Sequence, residues 1–401
     1  MRFWCSGLLL LTAFPLWADA PRMRDLPTVE RDVVDQAVLR GVDFLLTRQN
    51  RDGSWGSPTR TKHLNIYAPG DAHAAYKAGT TALCLESLLR MEKGLSTFPE
   101  NAGAERREKL SEAIDRAEGW LLENLPKLRR SSPDVLYNVW GHAYGLTTLR
   151  WMYTRNVPVA KRSERLEKIR KAAQKQIEML DKCEYLSGGW GYYNFNMAAR
   201  KSPDVSNSFV TATVLVGLAD AKAMGVEVPE RLVKNGLTSL LRQRRPDGTY
   251  LYSENFLTHA SLISNSPGSL GRSQAGSLAL LCWERGDVAT QAVVREWLKR
   301  LVVQNGWLDV GRKRPKPHES YFLVAGYFYY YAHYYAAQLL ERVDDPSLRA
   351  DLANHLVSLN LPLQEKNGSW WDYPLYDYHP FYGTAMAVVS LLECRRAMFG
   401  F

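Results

Sequence analysis

The chain has 401 residues, of which 46% are hydrophobic, 23% charged and 11% aromatic, fractions that exclude a disordered, collagen-like or coiled-coil protein. A formal charge of +9 admits nucleic acid, acidic polysaccharide, a diphosphate or a membrane surface as partner, and the length alone admits two or three domains. Twelve Trp and 21 Tyr call for a large core or an aromatic-lined binding surface.

Residues 1–20 have the order of a secretory signal peptide: Arg2, an apolar run from Phe3 to Trp17, then Ala18-Asp19-Ala20. The run is shorter than the ~20 residues a membrane span needs, so export to the periplasm or the medium is expected. Pro21 hinders a cut after Ala20 and moves the alternative to Ala18. The +9 charge survives removal, because Arg2 and Asp19 cancel. Cys84, Cys183, Cys282 and Cys394 remain; their spacing matches neither a metal motif nor a disulfide framework, and buried free thiols are expected.

In chain order, six amphipathic segments have apolar positions three and four apart: Val33–Arg48, Ala113–Leu125, Ile169–Leu180, Leu232–Arg242, Gln291–Val303 and Leu348–Leu359. Each is followed by a segment apolar nearly all round: Tyr76–Leu89, Tyr137–Tyr153, Ser208–Met224, Ser273–Arg285, Tyr321–Val343 and Phe381–Met398. The tyrosine-rich stretch Ser320–Leu340 reads as a buried helix, since Tyr avoids the hydrocarbon centre of a membrane. Between paired segments a Gly/aromatic turn recurs at Trp55, Trp190, Tyr250, Trp307 and Trp370, the last four at spacings of 60, 57 and 63 residues. One degenerate turn between Trp55 and Trp190 completes six repeats. Residues 21–401 therefore read as a single all-α domain, an α6/α6 toroid with amphipathic outer and buried inner helices. The turn glycines supply positive φ.

The turns Gln49-Asn50-Arg51-Asp52-Gly53-Ser54-Trp55 and Gln364 to Trp370 resemble the Q-x3-G-x-W repeat of squalene–hopene cyclases, shared in form by prenyltransferase β subunits. The resemblance implies the toroid and a central cavity opening where inner helices begin. Asp204-Val205-Ser206-Asn207 resembles the cyclase acid motif, with Ser206 at the position of its proton donor. Gly311 to Tyr321 and Tyr376 to His379 resemble the zinc and diphosphate segments of farnesyltransferase β subunits, with His318 and Ser320 at the Asp and Cys positions. No metal or other cofactor is expected.

Residues at the inner-helix starts converge on one mouth in such a ring: Tyr76, Trp140, His142, Tyr144, Asp204, Asn207, Gln274, His318, Glu319, Tyr321, His379 and Tyr382. Asp204 and Glu319 are the candidate catalytic carboxylates. Trp140, His142, Asn207, Gln274, Arg312, His318, Tyr321, His379 and Tyr382 are the candidate ligand-binding groups, with Arg312 to Lys316 as an anion-receiving cluster. Along the tyrosine-rich helix, Tyr327, Tyr331 and Tyr334 share the face that can line a cavity. The reading is an exported isoprenoid-handling protein of the cyclase and prenyltransferase superfamily, holding a hydrophobic or anionic small molecule, with membrane-surface contact possible. The alternatives are a polysaccharide lyase or glycoside hydrolase on a similar toroid, and a binding scaffold that has lost its chemistry. Export and the lack of a recognised motif weigh against nucleic acid.

Overall fold

A computed structural model describes residues 22–64, 66, 68–98, 104–196, 201–257, 261–319 and 321–400. The signal-peptide reading falls outside the described residues. Twelve long α-helices alternate between two layers, and among the described residues there are no named strands. The outer helices are α1 (Arg31–Thr47), α3 (Ala104–Asn124), α5 (Val159–Cys183), α7 (Glu230–Arg242), α9 (Gln291–Val303) and α11 (Pro346–Asn360). The inner helices are α2 (Ala72–Gly94), α4 (Asn138–Thr154), α6 (Ser208–Ala223), α8 (Ser273–Cys282), α10 (Phe328–Leu339) and α12 (His379–Phe399). Each inner helix packs on the next, α2 on α4 and so on to α12, which packs on α2 and closes the circle. The fold is the expected all-α toroid.

The turn chemistry explains why the repeats form hairpins. The indole N–H groups of Trp55, Trp190 and Trp370 each donate to the carbonyl ten residues back, Leu45, Leu180 and Asn360, at 2.9, 2.8 and 2.9 Å. Those carbonyls lie at or near the ends of outer helices, where intrahelical donors run out. The backbone N–H of each Trp donates to a threonine of the following inner helix, Thr81, Thr211 or Thr384. One buried aromatic thus fixes both helices of a hairpin. Gly53 (φ 90°) and Gly368 (φ 90°) approach the carbonyls of Arg116 and Arg40 so closely that a Cβ would stand 2.4 and 2.5 Å from them.

The same turns join neighbouring repeats. Gln49 donates to Ala113 of α3, and Gln364 donates to Ala37 of α1, so the sixth repeat grips the first as the first grips the second. Arg395 of α12 and Asp35 of α1, both fully buried, pair across the same seam.

Two expectations change in detail. Gly306 has no positive φ; it lies in a short helix, Asn305–Asp309, which replaces the turn, and Trp307 is only half-buried. Tyr321 does not begin an inner helix: α10 starts at Phe328. The chain before it approaches Gly311 and Asp372 at Gly326, where a Cβ would stand 2.8 and 2.7 Å from their carbonyls. The four cysteines are free thiols, three buried and Cys282 half-buried. No helix among the described residues is long and apolar enough to cross a membrane.

Candidate functional site

Every repeat places tyrosine near the start of its inner helix or in the segment leading to it, and these side chains meet around the ring axis. Tyr76 stands in the second turn of α2 and Tyr137 caps α4; Tyr192 and Tyr193 precede α6, Tyr252 precedes α8, Tyr327 caps α10, and Tyr373, Tyr376 and Tyr378 precede α12. Ring centroids separate Tyr76 from Tyr137 by 5.3 Å and Tyr137 from Tyr192 by 6.1 Å. The Tyr137 and Tyr193 hydroxyls are 2.7 Å apart, that of Tyr192 bonds Tyr252, and Tyr252 meets Tyr327 at 3.4 Å. Tyr327 packs on Tyr373 at 5.5 Å, and Tyr376 returns to Tyr76 at 6.4 Å. The short segment from Tyr373 to Tyr376 spans the remaining interval, so the tyrosines encircle the axis. Burial raises the pKa of Tyr76, Tyr137, Tyr192, Tyr252 and Tyr327, so the mouth is lined by neutral hydroxyls at physiological pH. Phe195, Leu257 and Tyr321 are exposed in the loops that lead to these helices.

Three polar devices lie in or behind this ring. His318, at φ 61°, holds its Nδ1 2.7 Å from the Leu323 carbonyl and its Nε2 3.2 Å from the Tyr327 hydroxyl. A carbonyl only accepts, so Nδ1 carries the proton and Nε2 receives the tyrosine hydrogen. Burial lowers the His318 pKa, leaving a neutral imidazole able to act as a base. Asp372 is fully buried; its carboxyl accepts from Tyr382 Oη at 2.8 Å and from the Tyr330 N–H at 3.0 Å. Burial pushes its pKa up to about 6, the range of a carboxylic acid that gives up a proton near neutrality. Arg272, fully buried, bonds the Gly268, Tyr250 and Ile263 carbonyls and lies 5.6 Å from the centre of the Tyr252 ring. It forms no carboxylate ion pair among the described residues. Burial lowers its pKa to about 10, so it remains a cation and sets a positive potential behind Tyr252.

The residues singled out from sequence divide between this mouth and elsewhere. Trp140 stacks on Phe209 and Tyr144, each at 5.9 Å, beneath the ring. His318 and Tyr382 belong to it. Asn207 is buried beside it, donating to the Tyr252 carbonyl. His142 is turned away from the axis: it bonds Gln176 of α5 and Asn138, and burial lowers its pKa to about 4. Gln274 likewise reaches outward to the Trp297 carbonyl of α9. His379 is packed edge-on against Trp371 with its pKa lowered by burial to about 4. Arg312 is tied to Asp309 and lies over Tyr329. Tyr321 and Glu319 are exposed.

Asp204 organises its own loop, accepting from the Phe195 N–H, Asn196 and Ser202. Ser206 is buried against Ser239 and Glu254 on the outer side. Among the described residues no cluster of three His, Cys, Asp or Glu side chains is placed to hold a metal. Asp372, Arg272 and Tyr252 were not selected from sequence. The available signal was positional: Tyr252 and Asp372 each stand two residues past a turn aromatic, Tyr250 and Trp370.

The sequence matches no family model, and no curated protein matches it. Solved structures share the fold. An inactive double Asp-to-Asn variant of the alpha-1,6-mannanase GH76A of Salegentibacter sp., in complex with alpha-1,6-mannotriose, superposes with a TM-score of 0.54 at 10% identity, over 91% of this chain and 99% of that one. A possible member of the GH105 family from Klebsiella pneumoniae gives 0.54 at 11% identity over 100% of both chains. Another from Salmonella enterica gives 0.52 at 14% identity over 94% and 97%. The expectation of a squalene cyclase or prenyltransferase relative is therefore corrected: these three structural neighbours carry the names of glycoside hydrolase families. The turn motif that suggested cyclases reports how hairpins are joined and closed. It says nothing of what occupies the mouth.

Proposed function

We propose that the protein is an exported carbohydrate-active enzyme that receives an acidic saccharide across the tyrosine ring and hydrolyses a glycosidic bond there. The observation that carries this reading is the circle of neutral tyrosines around the axis, with at least one supplied by every repeat. Aromatic faces pack on the C–H faces of sugar rings, and the hydroxyls exchange hydrogen bonds with sugar hydroxyls. Arg272 behind Tyr252 favours a uronate over a neutral sugar, in keeping with the +9 charge. The glycoside hydrolase names of the structural neighbours and the apolar segment at residues 1–20 support the same direction.

In this reading the acid role moves from Asp204 and Glu319 to Asp372. Once protonated, Asp372 donates to the Tyr382 oxygen, the reverse of the bond its carboxylate accepts, and Tyr382 turns its own hydrogen from the Tyr373 carbonyl to the leaving glycosidic oxygen. The His318–Tyr327 pair takes a proton from the attacking water, Nε2 receiving the Tyr327 hydrogen as the Tyr327 oxygen accepts that of water.

The test is incubation of the purified protein with uronate-containing and neutral oligosaccharides, reading reducing ends and ultraviolet absorbance. New reducing ends without absorbance are expected, and only from acidic substrates. Cleavage accompanied by a new conjugated double bond would replace hydrolysis by elimination. Failure to bind or cleave any saccharide would remove the reading.

A further inference from the structure

The opposite end of the ring carries a cavity that the proposed reaction does not use. It measures 420 Å³, and all six inner helices line it near their C-terminal ends. It is separated from the tyrosine mouth by side chains filling the axis: Tyr331 bonds the Phe209 carbonyl, Tyr335 bonds Thr213, and Tyr334 bonds Glu86 at 2.8 Å.

Its charges fall into two groups. Arg90 is committed to Glu86 and Glu393, and Arg396 to Glu393 and Glu341. Arg150, Arg342 and Lys93 also line the cavity and form no ion pair among the described residues. Asp220 shares the cavity with them, hydrogen-bonded to Thr147. Arg90, Lys93, Arg150, Arg342 and Arg396 against Asp220, Glu341 and Glu393 leave an excess of positive charge in a space of small-molecule size, and Lys93 also lies over the Trp151 ring. Cations near helix C-termini also offset the macrodipole, a role any face of the last turn could fill. Here they line one cleft open to solvent, with Thr147 and Gln338 supplying neutral hydrogen-bonding groups.

We propose that this cavity is a second binding site, for a small polar molecule bearing a phosphate or carboxylate group, with Arg150, Arg342 and Lys93 receiving the anion. It stands independently of the hydrolase reading.

Isothermal titration with inorganic phosphate, glycerol 3-phosphate and succinate, none of them a sugar, tests it and separates the two anion types. At least one probe binds saturably to the wild-type protein, and Arg150→Gln/Arg342→Gln raises its dissociation constant at least tenfold. The milder Lys93→Gln raises it in the same direction, should the double variant fold poorly. Tyr252→Phe, at the other mouth, leaves the constant unchanged. No saturable binding of any probe, the wild-type constant in both charge variants, or an effect of Tyr252→Phe equal to theirs would each overturn the site.

Discussion

The two ends of this toroid are built from the same six helices and have opposite chemistry. Where the inner helices begin, the lining is aromatic and neutral, and its charged devices are sunk behind tyrosines. Where they end, carboxylates and guanidinium groups face one another across the axis. The difference follows from position in the repeat. The turn that seats the outer aromatic delivers the next few residues to the axis, where a tyrosine can both pack and hydrogen-bond. The far end has no such turn, and its groups are spaced by helix geometry alone: Glu86 and Arg90, four apart, meet as a pair.

Substitutions on either side test that contrast. The largest expected effect is on catalysis at the tyrosine mouth: Asp372→Asn lowers saccharide cleavage by about 100-fold or more, the usual contribution of a general acid. Phosphate or succinate binding at the far cavity stays as in the wild type. Steady-state kinetics beside titration checks both.

The next effect is on stability and belongs to the charged end. Arg90→Met leaves Glu86 and Glu393 without their shared partner and costs about 3–5 kcal/mol. Tyr252→Phe, which deletes one hydroxyl from the neutral ring, costs about 1 kcal/mol. Urea unfolding of the two variants measures the ratio, and equal losses would erase the distinction.

A smaller effect is pH-dependent. Burial pushes the Asp220 pKa up to about 7, against the opposing pull of Thr147, Arg90 and Arg150 and with Glu86 adding repulsion. The folded chain then holds a proton that the unfolded chain has released between roughly pH 4 and 7, so stability falls as pH rises through that window. Asp220→Asn removes the penalty. It raises stability by about 1–2 kcal/mol at pH 8 and changes nothing near pH 4. Asp372, with its pKa near 6, has the same sign; hydrolysis therefore declines above pH 6 as the acid form is lost. The smallest effect is at the rim. Glu319→Gln, at an exposed position, changes stability by less than about 0.5 kcal/mol and cleavage by less than about twofold.

Much of the fold was legible because the repeat writes the same turn several times. The Trp55, Trp190 and Trp370 turns located three hairpins, and charge content separated outer helices from inner ones. Gly306 misled because glycine beside tryptophan also suits a short helix. The site was less legible. Inner-helix starts indicated which end to examine, and Tyr76, His318 and Tyr382 were found that way. On a helix buried on all sides, however, polarity does not say which side chain faces the axis. His142 and Gln274 therefore looked like axial residues although their partners lie on α5 and α9. Asp372 was passed over because one aspartate near a turn has no pattern; only its burial against Tyr382 sets it apart. Cyclase-like turns carried a family resemblance into a prediction of chemistry, and they encode only the joints.

The grip of Gln364 on Ala37 and of Arg395 on Asp35 leaves this chain without a terminal repeat. An open solenoid can lose an end unit and keep the rest, whereas here each hairpin is a neighbour to two others. Synthesis from the N-terminus must reach α12 before α1 has its partner, so the nascent ring exposes two apolar edges until its last turn emerges. By the same logic, a chain cut open in a surface loop and rejoined at its present ends would keep every inter-repeat contact.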